Sequence, residues 1–121
     1  MDRTERGFTA NAEQVRAARS FTHGVMDNWG LESSDVVLVV GELAANAVRH
    51  AKSEFTLSLR RLDDSVTVEV TDTSPEQALL ATPAPSGTSG RGLIIVDRLA
   101  LVWGSRPAGC GKTVWAEIRA H

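Results

Sequence analysis

From residue 36 the chain reads Val36-Val37-Leu38-Val39-Val40-Gly41-Glu42-Leu43-Ala44-Ala45-Asn46-Ala47-Val48-Arg49-His50-Ala51. Its first five residues alone would suit a buried strand. The apolar positions continue through Leu43, Ala44, Ala47 and Val48, about sixteen residues of good helix formers, and strands rarely run so long. The spacing therefore predicts a helix over 34–51, entered after Ser33 or Ser34, with Asp35 near its positive end.

Glu42 and Asn46 stand one turn apart on this helix, about 40° around the axis, so both project from one face. Arg49 returns to that face and His50 borders it. The stripe formed by Val36, Val40, Leu43, Ala44, Ala47 and Val48 is apolar. A carboxylate and an amide at the margin of such a stripe are costly unless partners satisfy them. They are either a solvated helix edge or the carboxylate and amide oxygen that a general base and a hard cation need.

Upstream, Asn11 is placed to cap a helix, with Gln14 three residues on. Val15, Ala18, Val25, Met26 and Trp29 recur at near-helical spacing up to Gly30, which predicts a first helix over about 12–29. Downstream, Phe55, Leu57 and Leu59 alternate with polar residues. A turn at 63–65 follows, and then Val66, Val68 and Val70, which together make a hairpin.

Asp72 ends the second strand. With Thr73-Ser74-Pro75 behind it, Asp72 is either a turn starter or a carboxylate able to accept a hydrogen bond from an amine or base edge. Residues 73–91 hold three of the four prolines, as a lid or binding loop does. Gly90-Arg91-Gly92 stands at the predicted junction with a short helix over 92–99. Its glycines either end the loop or let the backbone approach an anion. Leu101-Val102-Trp103 and Thr113 to Arg119 form a second hairpin around 109–111. This order predicts one α+β domain over 1–121, a two-layer sandwich whose mixed, mainly antiparallel sheet carries helices on one face.

Gly111-Lys112-Thr113 is not a conventional phosphate loop, because Arg106 stands where the first glycine belongs and a strand pattern follows instead of a helix. No nucleophile elbow supports hydrolase chemistry. The charge of −2, from 13 basic and 15 acidic residues, gives no surplus to drive nucleic-acid binding. One cysteine, Cys110, excludes an internal disulfide and a multi-thiolate zinc site. The beginning of the sequence lacks an apolar signal core, and no run approaches membrane length. A cytoplasmic setting is the expectation, with no membrane and no direct nucleic acid.

Taken in order, Glu42-x-x-x-Asn46, Asp72-x-Ser74, Gly90-x-Gly92 and Gly111-Lys112-Thr113 resemble the ATP-binding (Bergerat) fold of histidine-kinase catalytic domains, gyrase and related ATPases. The run Glu42 to Ala51, together with Gly111-Lys112-Thr113-Val114-Trp115, is more closely similar to the small stand-alone anti-sigma-factor serine/threonine kinases of bacterial stress and sporulation control. The resemblance spans about residues 8–119. It implies ATP and Mg²⁺ as cofactors, with Asn46 as the Mg²⁺ ligand and Glu42 as the catalytic base toward a protein serine. It also implies that Asp72 meets the adenine amino group, with Thr113 supporting that end through Asp72 or water.

By the same resemblance Arg49, His50, Ser74, Gly90, Arg91, Gly92 and Leu93 line the ATP site, and 73–91 is its lid. The implied partners are a sigma factor and an anti-sigma antagonist, and the implied assembly is a homodimer. Asp72-Thr73-Ser74-Pro75-Glu76-Gln77 departs from the superfamily's Asp-x-Gly-x-Gly, which removes backbone freedom beside the nucleotide. That departure motivates the alternative of a nucleotide-dependent protein-binding switch without catalysis.

Overall fold

In the computed structural model, residues 2–51, 54–73 and 88–120 are described, and the side chains of 50, 51 and 88–93 are not. Five strands form one sheet: β1 (Arg3–Phe8), β2 (Phe55–Arg61), β3 (Ser65–Asp72), β4 (Ala100–Ala108) and β5 (Gly111–Arg119). Their spatial order is β1-β2-β3-β5-β4. Every pairing is antiparallel. Three α-helices, α1 (Ala12–Asn28), α2 (Ser34–Asn46) and α3 (Thr88–Leu99), complete the second layer. The expected α+β sandwich is the observed one.

The first helix follows its sequence signals closely. Asn11 is extended and its side-chain oxygen accepts from the Gln14 N–H, the expected cap. Gly30 ends the turn beyond the helix at φ +73°, a left-handed conformation that favours glycine. Val15, Ala18, Thr22 and Met26 are its buried stripe.

The central helix α2 packs between α1 and α3 and lies over β3 and β5. Val36, Val39, Val40, Leu43 and Ala44 are its buried apolar face. They meet Leu57, Leu59, Val66, Val68, Ala116 and Ile118 from the sheet. Side chains alternate across a strand, so the even-numbered positions of β3 and β5 turn inward and the odd ones form the outer face.

The structure departs from the sequence expectation at the end of α2 and at the start of α3. The α-helix stops at Asn46, and 47–51 form one π-helical turn instead of continuing it. Arg49 lies in that turn and is exposed, so it does not extend the Glu42–Asn46 face in α-helical register. The third helix begins at Thr88, not at 92, so Gly90-Arg91-Gly92 belongs to its N-terminal turns. Of the expected lid 73–91, residues 74–87 lie outside the described residues, and 88–91 are helical.

Residues 3–8, for which the sequence pattern predicts no strand, form β1. β1 is an edge strand paired only with β2, and Phe8 is its one buried residue. Phe8 stacks on Phe55 with ring centroids 5.3 Å apart, and Arg6 reaches over Phe8 and Phe21. A charged edge strand of this kind lacks the apolar alternation by which strands are recognised.

Candidate functional site

Asn46 is the last residue of α2 and is only 4% exposed. Its Nδ2 has no hydrogen-bond partner among the described residues. Glu42, one turn earlier, is half-buried. The π turn directly after Asn46 packs against β3, the strand that Asp72 ends. Such turns inside helices recur at functional sites, because they re-aim side chains without ending the helix.

Asp72 sits on the inner face, in register with Phe55 on one neighbouring strand and Lys112 on the other. Lys112 Nζ donates to Asp72 Oδ2 at 2.8 Å. The two side chains are 4% and 3% exposed, a buried ion pair. The register is held by close backbone approach at the next residue. A Cβ added to Gly111 would run into the Asp72 carbonyl oxygen and the Thr73 Cα. Only glycine lets β5 start so near the end of β3.

Thr113 faces the other way. Its hydroxyl shares a 2.7 Å hydrogen bond with that of Thr71 on the outer face. The position beside Asp72 that the resemblance gives to Thr113 is therefore held by Lys112. In the sequence, Lys112 stands out only through its place in Gly111-Lys112-Thr113. Its partner lies 40 residues away, and only the β3–β5 register reveals it.

Among the other expected residues, Gly90, Arg91, Gly92 and Leu93 are placed at backbone level in the first half of α3. Free N–H groups at such a helix start favour anions. His50 belongs to the π turn, and its side chain lies outside the described residues, as does all of Ser74. No group of three or more histidine, cysteine or acidic residues fit to hold a metal occurs among the described residues. No helix there is long and apolar enough to cross a membrane.

A sheet whose central helix carries Glu-x-x-x-Asn, with a buried aspartate at the end of an adjoining strand and a glycine-rich helix start, has the architecture of the histidine-kinase-type ATPases. Residues 8–118 match the histidine kinase-like ATPase domain. The chain belongs to that family.

Among solved structures it is similar to the RsbU and RsbW domains of Rv1364c from Mycobacterium tuberculosis, at 16% identity and a TM-score of 0.75. That match covers 99% of this chain but 33% of the other, so this chain spans a third of its length. It is also similar to the catalytic domain of the histidine kinase ThkA, at 19% identity and a TM-score of 0.59, covering 98% of this chain and 96% of that one. A comparison with curated proteins gives no match.

Proposed function

We propose that this chain is an ATP-binding regulator of the anti-sigma type with protein serine/threonine kinase activity. The observation that carries the reading is the Nδ2 of Asn46, buried one turn after Glu42 and without a hydrogen-bond partner among the described residues. Leaving a buried amide donor unpaired costs about 1–3 kcal/mol. A ligand that completes the pairing is what makes that cost useful. The motif likeness of Glu42–Ala51 and Gly111–Trp115 to the anti-sigma kinases supports the finer assignment.

The residues present fit Mg²⁺ as well as nucleotide. A side-chain amide oxygen is a hard ligand, and Mg²⁺ usually takes one or two protein oxygens beside phosphates and water. Asn46 would hold the ion, which when bound neutralises phosphate charge. Glu42 takes the proton from the hydroxyl of a bound protein serine. The serine oxygen forms its bond to the γ-phosphorus as the bond to the β–γ bridging oxygen breaks, and ADP leaves with that electron pair.

Asp72 accepts from the amino group of the base. The N–H groups at the start of α3, with Gly90, Arg91, Gly92 and Leu93, lie along the phosphates. Arg49 and His50, beyond Asn46, and Ser74, beyond Asp72, flank the nucleotide. Thr113 acts on the site through Thr71 and the strand. The segment 73–91 serves as the lid, within a single domain over 1–121. The chain works as a cytoplasmic homodimer that binds a sigma factor and phosphorylates its antagonist. A mass of two chains in analytical ultracentrifugation checks the assembly.

The decisive experiment supplies γ-labelled ATP, Mg²⁺ and small antagonist proteins bearing a phosphorylatable serine. Label is expected on that serine, and Glu42→Ala is expected to lower the transfer rate by about 10²–10⁴ with little change in ATP affinity. Bound ATP without any transfer would sink the kinase assignment. The altered Asp72-Thr73-Ser74-Pro75 segment favours the second reading, a nucleotide-dependent protein-binding switch. Under that reading Glu42→Ala leaves partner binding and its nucleotide dependence intact, and no label moves in either protein.

A further inference from the structure

The geometry points to Lys112 as a specificity-determining residue that commits the Asp72 end of the site to a 6-amino purine over a 6-oxo purine. The inference rests on the reading of Asp72 as the base contact and goes beyond it. Lys112 is freed from a phosphate role by its sequence context. Its ammonium instead lies 2.8 Å from the Asp72 carboxylate, on the inner face of the sheet, with both side chains all but removed from solvent. Phe55, 1% exposed, stands in register on the other side of Asp72.

Chemistry follows from that pairing. A lone carboxylate is too costly to bury beside an aromatic wall, whereas a hydrogen-bonded ion pair offsets much of the cost. Lys112 thus lets Asp72 sit in a dry place as an anion. An anionic carboxylate only accepts hydrogen bonds, and an ammonium only donates. The pair therefore offers an acceptor beside a donor.

A 6-amino purine presents the complement, an amino donor at position 6 beside the acceptor N1. A 6-oxo purine presents the reverse, an oxygen acceptor beside an N1–H donor, and its oxygen would face the carboxylate. Close β3–β5 approach at Gly111 holds the two side chains in this order through the backbone.

The test measures ATP and inosine triphosphate binding by calorimetry, since the two differ only in the group at position 6 and the N1 proton that accompanies it. The wild-type chain is expected to prefer ATP by about 100-fold or more, because a site built to pair one polar group rejects its mismatch strongly. Lys112→Met is expected to shrink that ratio by about 10-fold or more, and Lys112→Arg to preserve it. A lysine that served only stability would weaken both nucleotides equally and leave the ratio unchanged. An unchanged ratio in Lys112→Met overturns the inference.

If Lys112→Met does not fold, the pair variant Asp72→Asn with Lys112→Met avoids an unpaired buried charge and is read in its place. It is compared with Asp72→Asn alone: a ratio lower than in that single variant assigns the further loss to Lys112, and a ratio equal to it overturns the inference. Asp72→Asn alone separates the two levels of reading. Loss of ATP preference there, with the ratio intact in Lys112→Met, removes the role of Lys112 and keeps that of Asp72. A wild-type chain that binds neither nucleotide overturns both.

Discussion

Asp72 and Lys112 form the one ion pair with both side chains buried among the described salt bridges, and their energetics separate them from the surface pairs Asp2–Arg61 and Glu69–Arg106. Exposed pairs contribute about 0–1 kcal/mol. Removing one member of a buried pair leaves an uncompensated charge and costs about 3–5 kcal/mol. Asp72→Asn and Lys112→Met are each expected to destabilise the fold by that amount, and the double variant by much less than the sum. Chemical denaturation of the four proteins of this cycle checks it, and simple additivity would show that the pair is not coupled. What was legible in the sequence is placement: Glu42 and Asn46 one turn apart on a helix, and Asp72 at the end of a strand. The place of Lys112 beside Asp72 was not, because sequence gives local spacing but not which strands become neighbours.

At the scale of elements, the N-terminus of α2 is secured in an unexpected way. Ser33 occupies the cap position but makes no side-chain cap bond. Glu32 takes over, accepting from the Ser34 N–H at 2.6 Å. Hydrogen bonding from the Ser34 side chain, and then from its backbone N–H, holds the fully exposed Glu32 carboxyl below the usual glutamate value. A lowered folded-state value means that this support is complete above pH 4.5 and is lost as pH falls through the folded-state titration.

Titration of the Ser34 amide by nuclear magnetic resonance is expected to show a midpoint below 4.5 that Glu32→Gln abolishes. A midpoint at or above 4.5 would show that Glu32 does not make the cap. Helices α1 and α2 and both hairpins were legible because their apolar periods are long. β1 has one buried residue and so no period to read. The π turn escaped because 47–51 has the same apolar spacing as the helix it follows, and only backbone hydrogen bonding tells the two apart.

Over the whole molecule, the helices cover the inner face of the sheet. The outer face carries polar pairs, Thr71–Thr113, Ser65–Glu117 and Glu69–Arg106. Strands β2, β3 and β5 are paired on both sides, whereas β1 and β4 are edges. Amide hydrogen exchange is expected to be slowest in β2, β3 and β5 and faster in β1 and β4, as measured residue by residue. Equal protection across the sheet would contradict this order. The two-layer class was legible from element order, but the insertion of β5 between β3 and β4 was not. A hairpin motif says that β4 and β5 pair, and is silent on which of them faces β3.

That insertion carries a consequence for how the chain assembles. β4 precedes β5 along the chain yet ends at the rim, and β3 keeps an open edge until β5 closes it. Bringing Lys112 to Asp72 closes a loop of 40 residues, a non-local contact whose entropy must be met before it rewards folding. The segment bearing Glu42 and Asn46 can be in place while the aspartate end is still half built. On the proposed reading of the site, a nucleotide that touches both Asn46 and Asp72 therefore binds only a chain in which β5 is already paired to β3.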